Sequence, residues 1–122
     1  GLLLISGPLD FSACRNQTAR KLLSDYLGDD PQAWMQADPI RHVRGDEGIP
    51  VLCIHGAKDP LVDVQNSFSF AGRVNGGGRS VAQVRVVDEG YHSDLVTLFI
   101  DRSATADYLV DWLKSLVWDQ VR

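Results

Sequence analysis

A chain of 122 residues fits one domain with a single core, able to bury roughly two-thirds of the surface its unfolded form exposes. Apolar residues make up 44% and charged residues 23%, near the globular average, which sets aside a disordered or fibrous class. The 12 Lys+Arg and 16 Asp+Glu are scattered, so a net charge of -4 offers no footprint for nucleic acid or an anionic membrane.

Leu2 to Ser6 is a short apolar run closed by Gly7-Pro8 and reads as a buried strand. From Thr18 to Leu27, the residues Ala19, Leu22, Leu23, Tyr26 and Leu27 recur on one helical face, and Gly28 can end that helix. Asp30-Pro31 starts a shorter helix, with Asp30 as cap and Pro31 in the first turn, finished by Ala37-Asp-Pro-Ile40. Residues 44–48 form a polar connector. Val51 to Ile54 is β-branched and apolar without alternation, which suits a strand buried on both faces, and His55-Gly56 is expected to stop it. Asp63 is placed to cap a helix burying Val64, Phe68, Ala71 and Val74, which Gly76-Gly-Gly78 releases. Val81 to Val87 alternates, as a strand nearer a sheet edge does. The closing helix is expected to be capped by Ser103 and to bury Ala106, Leu109, Leu113, Leu116 and one face of Trp112. The order β-α-α-β-α-β-α predicts the α/β class, a three-layer parallel sheet with flanking helices in one domain spanning 1–122.

Two residues stand out within that order. Asp59 follows the Val51 strand on a loop, and His92 follows the next strand, so both fall at strand carboxyl ends, where open α/β sheets place ligands and reactive groups. The two are expected to lie within hydrogen-bonding reach. His92 is then a general base that needs a neutral ring near pH 7, and Asp59 its orienting acid.

The segments Ile54-His-Gly-Ala-Lys-Asp59-Pro-Leu-Val62, Gln65 with Phe70-Ala71, and Gly90-Tyr-His92-Ser resemble the carboxyl-terminal half of an α/β-hydrolase of the esterase/lipase type. Leu3-Leu-Ile-Ser-Gly-Pro-Leu-Asp10 and Ala37-Asp-Pro-Ile40 look like segments of the same family. The resemblance implies that the three strands match the last three of the hydrolase sheet. It further implies that Asp59 is the triad acid, His92 the triad base, and residues 12–44 a cap or acyl-pocket insertion. The implied activity is hydrolysis of small acyl esters, with no cofactor and no metal. The departure is that no Gly-x-Ser-x-Gly elbow occurs: Gly78-Arg-Ser80-Val-Ala82 comes closest, but its Ser leads into a strand instead of following one. The nucleophile would therefore come from residues outside this sequence; the alternative is a non-catalytic remnant serving oligomerisation or binding.

Other constellations read more plainly. His55, Asp59 and Asp63 are spaced by four, but Gly56 and Pro60 break any helix that would make them a metal face, so His55 is expected to be a strand-end hydrogen bonder. Asp63, Asp88 and Asp94 are weaker contenders for the acid. Gly76-Gly-Gly78 follows a helix and precedes a strand, the reverse of a phosphate loop. Trp112 and Trp118 read as packing, and His42 as a connector residue. Cys14 and Cys53 suggest no disulfide framework and are expected to be reduced.

Leu2 to Ile5 is far shorter than the roughly 18 residues of a membrane span, and no basic region precedes it, so no membrane and a cytoplasmic location are expected. Gly1 runs straight into a strand and the only methionine is Met35, which reads as a piece of a longer polypeptide. In the family the Leu2 to Ser6 strand has a neighbour on its far side. The partner expected here is either an upstream fragment or a second copy forming a homodimer through that edge.

Overall fold

The computed structural model describes residues 1–93, 95 and 104–121, the last four of these as backbone alone. The elements are β1 (Leu2–Ile5), α1 (Gln17–Leu27), α2 (Pro31–Ala37), β2 (Val51–Gly56), α3 (Gln65–Asn75), β3 (Ala82–Val87) and α4 (Ala104–Val121), with 3-10 turns at Phe11–Ala13 and Pro39–His42. The strands are all parallel in the order β1-β2-β3, with Leu2 beside Val51 and Val51 beside Ala82. This is the α/β arrangement that the alternation of strand and helix patterns predicts.

Strand β2 is buried along its whole length, because each of its faces meets a different layer. Val51 and Cys53 pack with Phe70, Ala71 and Val74 of α3, while Leu52 and Ile54 pack with Leu95, Leu109 and Trp112 beneath α4. That double burial explains the unbroken apolar run. His55 and Gly56 do not stop the strand, as their sequence suggested, but continue its pairing beside Val86 and Val87. The His55 ring can be buried in the sheet because both its nitrogens find partners.

Three helices differ from the sequence reading in which face they bury. In α3 the buried residues are Asn66, Ser67, Phe70, Ala71 and Val74, while Phe68 is 46% exposed. The rotation follows from two polar side chains with partners in the core. Asn66 Oδ1 accepts from Asp10 N at 3.0 Å, and Ser67 Oγ pairs with His55 at 2.7 Å. Val64, not Asp63, takes the cap position of this helix and makes no side-chain cap bond, while Asp63 one residue earlier accepts from Gln65 N. In α4, Leu109 and Trp112 are buried and Leu116 packs beside them, but Leu113 lies at the margin of the stripe and is exposed. The expected Ser103 cap and the contender Asp94 lie outside the described residues.

Helix α1 starts at Gln17, one residue before the expected Thr18, because Asn16 caps it by accepting from Ala19 N. Of its apolar face only Ala19 is buried; Leu22 is 53% and Tyr26 88% exposed. Helix α2 follows expectation, with Asp30 accepting from Gln32 N and Pro31 in the first turn. The 44–48 connector is tied by Glu47, which accepts from Arg44 N and Gly45 N and so holds its carboxyl below the usual range.

Candidate functional site

The site begins with two glycines. Gly56 ends β2 and Gly90 follows β3, and their backbones touch so closely that a Cβ on Gly56 would lie 2.3 Å from Gly90 O. The contact is stitched by Ala57 N donating to Val87 O and Lys58 N to Gly90 O, with a Lys58–Glu89 ion pair outside it. The loop after β2 and the loop after β3 are thereby fixed to each other, and each delivers one side chain.

Asp59 is delivered by the first loop with its carboxylate fully buried. Its Oδ1 accepts from Leu61 N at 2.9 Å and Val62 N at 3.0 Å, an Asx-type turn completed by Pro60. That leaves Oδ2 for side chains. His92 Nδ1 lies 2.7 Å from it, and His55 Nε2 lies 3.3 Å from it. The sequence-predicted pair is thus brought together by the structure.

The two histidines differ in their surroundings. His55 is inaccessible, and its Nε2 is 2.7 Å from Val62 O, a carbonyl that can only accept, so Nε2 carries the proton. Ser67 Oγ pairs with Nδ1 at 2.7 Å, and the ring is fully occupied. This is the strand-end hydrogen bonder expected of His55. His92, with a side chain 37% exposed, donates from Nδ1 to the carboxylate, and its Nε2 has no hydrogen-bond partner among the described residues. An imidazole held in that tautomer by a buried carboxylate presents a free lone pair, the requirement for a general base.

No family model, curated protein or solved structure matches this chain. The reading of the site therefore rests on its own geometry. His92 borders an open, mostly apolar groove of about 340 Å³ between the end of β1, α1 and the Asp59 loop, lined among others by Ile5, Ser6, Leu22, Leu23 and Leu61.

The remaining candidates have structural roles. Ser80 is buried and its Oγ accepts from Gly48 N at 3.0 Å, which ties the connector before β2 to the one before β3. Asp63 accepts from Gln65 N at the start of α3, Asp88 is exposed, and His42 pairs with Gln36 O. Both cysteines are free and buried, and burial raises both thiols, Cys53 to about 11, so neither is a thiolate nucleophile at neutral pH. Among the described residues no group of three His, Cys, Asp or Glu could hold a metal ion, and no helix is long and apolar enough to cross a membrane.

One residue escaped the sequence reading. Ser6 turns the chain out of β1 with φ of 50°, the left-handed region that a serine rarely adopts, and its Oγ is buried with no hydrogen-bond partner among the described residues. Ser-Gly-Pro reads only as a strand stop, so no pattern in the sequence could have marked it.

Proposed function

We propose that this chain is the acid–base half of a serine-type ester hydrolase of the α/β-hydrolase kind, with Asp59 and His92 as acid and base and a serine supplied from outside these 122 residues. The observation that carries the reading is the 2.7 Å contact from His92 Nδ1 to the buried Asp59 Oδ2, built from the ends of adjacent parallel strands. His92 Nε2 would take the serine proton as the ester carbonyl is attacked and return it to the leaving alcohol. Asp59 would stabilise the imidazolium formed between those steps. The open outer edge of β1 is where a nucleophile-bearing strand would add.

The test uses the protein extended by its upstream reading frame beside the 122-residue chain. The extended protein is expected to carry a serine that reacts with a fluorophosphonate and to hydrolyse p-nitrophenyl acetate, with His92→Ala lowering turnover by about 10⁴-fold or more. The short chain, without nucleophile or oxyanion hole, is expected to do no better than free imidazole. An extended protein whose turnover ignores His92→Ala would overturn the reading.

The exposed β1 edge, with Leu2 37% accessible, favours a second reading: a non-catalytic module that pairs through that edge. A second copy would join it antiparallel across a two-fold axis. Light scattering on this chain is then expected to give a dimer that Leu4→Lys dissociates.

A further inference from the structure

The loop that carries Asp59 holds a buried carboxylate without regular structure of its own, between the end of β2 at Gly56 and the start of α3 at Gln65. The two amides on Oδ1, from Leu61 and Val62, belong to that same loop, so they wrap it around the acid but do not fix it to the sheet. Its first residues are fixed by Ala57 N donating to Val87 O and Lys58 N to Gly90 O. Its outer turn is held by Asn16 Nδ2, which donates to Pro60 O at 2.7 Å in an exposed bond. The buried tie at its far end comes from a side chain of β2 itself: His55 Nε2 donates to Val62 O at 2.7 Å.

Val62 therefore serves both groups. Its N–H holds Asp59 Oδ1 at 3.0 Å, and its carbonyl is held by His55. The same Nε2 lies 3.3 Å from Asp59 Oδ2, the oxygen that His92 uses. That separation is past the ordinary hydrogen-bond range and acts as a contact between charge and dipole. With Oδ1 pinned, the freedom left to the carboxylate is a pivot that swings Oδ2, and His55 limits that swing. The ring does not give way readily, because it is inaccessible and its Nδ1 pairs with Ser67 of α3 at 2.7 Å. Burying an imidazole costs more than burying the leucine or isoleucine found elsewhere in β2 unless each nitrogen is bonded, and here the bonds run to the acid loop and to the helix that follows it.

We infer that His55 is the positioning residue of the Asp59–His92 pair: by holding Val62 O and standing against Oδ2 it fixes the carboxylate that sets the His92 tautomer. The inference rests on the reading of His92 as a base and deepens it, adding a buried residue that acts on the base through the acid.

The test reads the ring protons of the 122-residue chain by long-range 1H–15N correlation at about pH 9, above the usual imidazole range. In the wild type His92 is expected in the Nδ1–H form and His55 with a proton on Nε2. Two substitutions divide the roles of His55. His55→Gln places an amide N–H near the position of Nε2 and can still donate to Val62 O. His55→Asn ends near the position of Nδ1, can still meet Ser67, and has no donor that reaches Val62. Both are expected to lower the urea midpoint. Only His55→Asn is expected to lower the ratio of Nδ1–H to Nε2–H tautomer at His92, by about fivefold or more. A role confined to packing would move the midpoint alone. A His92 tautomer unchanged in His55→Asn, an equal fall in both variants, or a wild-type His55 protonated on Nδ1 alone would each overturn the inference. Should His55→Asn not fold, His55→Leu, which fills the space and likewise lacks a donor, takes its place with the same outcomes. The inference and the hydrolase reading fail apart. A tautomer indifferent to His55, in an extended protein whose turnover needs His92, overturns the positioning role alone. A tautomer that follows His55, in an extended protein that hydrolyses no ester, supports the positioning while the hydrolase reading falls.

Discussion

Among the described residues, every buried polar group found near the site on the β3 side of the central strand has a partner, whereas the β1 side carries a hydroxyl without one, a strand edge without a neighbour and half-exposed leucines. His55 is satisfied at both nitrogens, Asp59 at both oxygens, and Gly56 lies against Gly90 with two backbone hydrogen bonds across the join. Across β2, Ser6 Oγ has no partner among the described residues, Leu2 is 37% exposed and Leu22 53%. His92 stands on the boundary: its Nδ1 belongs to the finished side and its ring borders the groove on the unfinished one. If Asp59 and His92 act as proposed, the acid and the tautomer are fixed on the side where hydrogen bonds are complete, while the ring faces the more open side. A site that admits a substrate would gain from that division, since only the positioning side has to be held.

The sharpest way to break the finished side is Gly56→Ala. The new Cβ would meet Gly90 O, a backbone atom that cannot swing away, so either β2 or the His92 loop must shift. A loss of about 3 kcal/mol or more is expected by urea denaturation, with disruption of the Asp59–His92 hydrogen bond seen in the His92 ring 15N shifts. The two histidines sharpen the same contrast. His55→Ala opens a cavity and strands Val62 O and Ser67 Oγ, and is expected to cost about 2 to 4 kcal/mol. His92→Ala removes a part-exposed ring and leaves Asp59 its two backbone donors, so about 1 kcal/mol or less is expected. Equal losses would mean that His92 is as structural as His55.

This division was only half legible in the sequence. Strand β2, the Asp59 loop and the position of His92 could be read because an apolar run, a Gly turn and an acid lie together in the chain, and a second run ends just before the histidine. Helix α2 announced itself through Asp30-Pro31. The faces of α3 and α4 did not, because apolar periodicity counts Phe68 and Leu113 as core. It gives no weight to Asn66 and Ser67, the polar residues that set the rotation of α3 through Asp10 and His55. The exposed face of α1 was misread for a different reason. Its leucines have the right spacing, but no buried layer of the described residues lies opposite them; Leu22 and Leu23 line the groove instead.

Cys53 tests the finished side through its protons. Burial pushes its thiol to about 11 from an ordinary value of 9.0, so the folded protein keeps a proton that the unfolded chain gives up. The contribution is fully present below pH 9.0 and is lost as pH rises through the folded value, reaching ~2 kcal/mol by pH 11. It is measured as the difference between the wild-type and Cys53→Ala stability curves across that window, which cancels the lysines and tyrosines titrating in the same range. A constant difference would place water against Cys53 and open the core of β2.

The smallest expected effect has the opposite sign and belongs to the unfinished side. At Ser6, glycine costs the unfolded chain more entropy, which alone would destabilise by roughly 0.5 to 1 kcal/mol. Against that, it relieves a serine held at φ 50° and removes a buried hydroxyl with no partner, contributions of about 1 kcal/mol or more each. The balance is a gain of about 1 kcal/mol for Ser6→Gly, read as a higher denaturation midpoint with an unchanged slope. No such gain is expected on the other flank, where Ser67→Ala would leave His55 Nδ1 without its partner and lower the midpoint. A higher midpoint would show that the Ser6 hydroxyl does not hold the fold together. A loss of stability at Ser6→Gly would instead mean that the hydroxyl finds a partner in the folded protein and that the two flanks are equally complete.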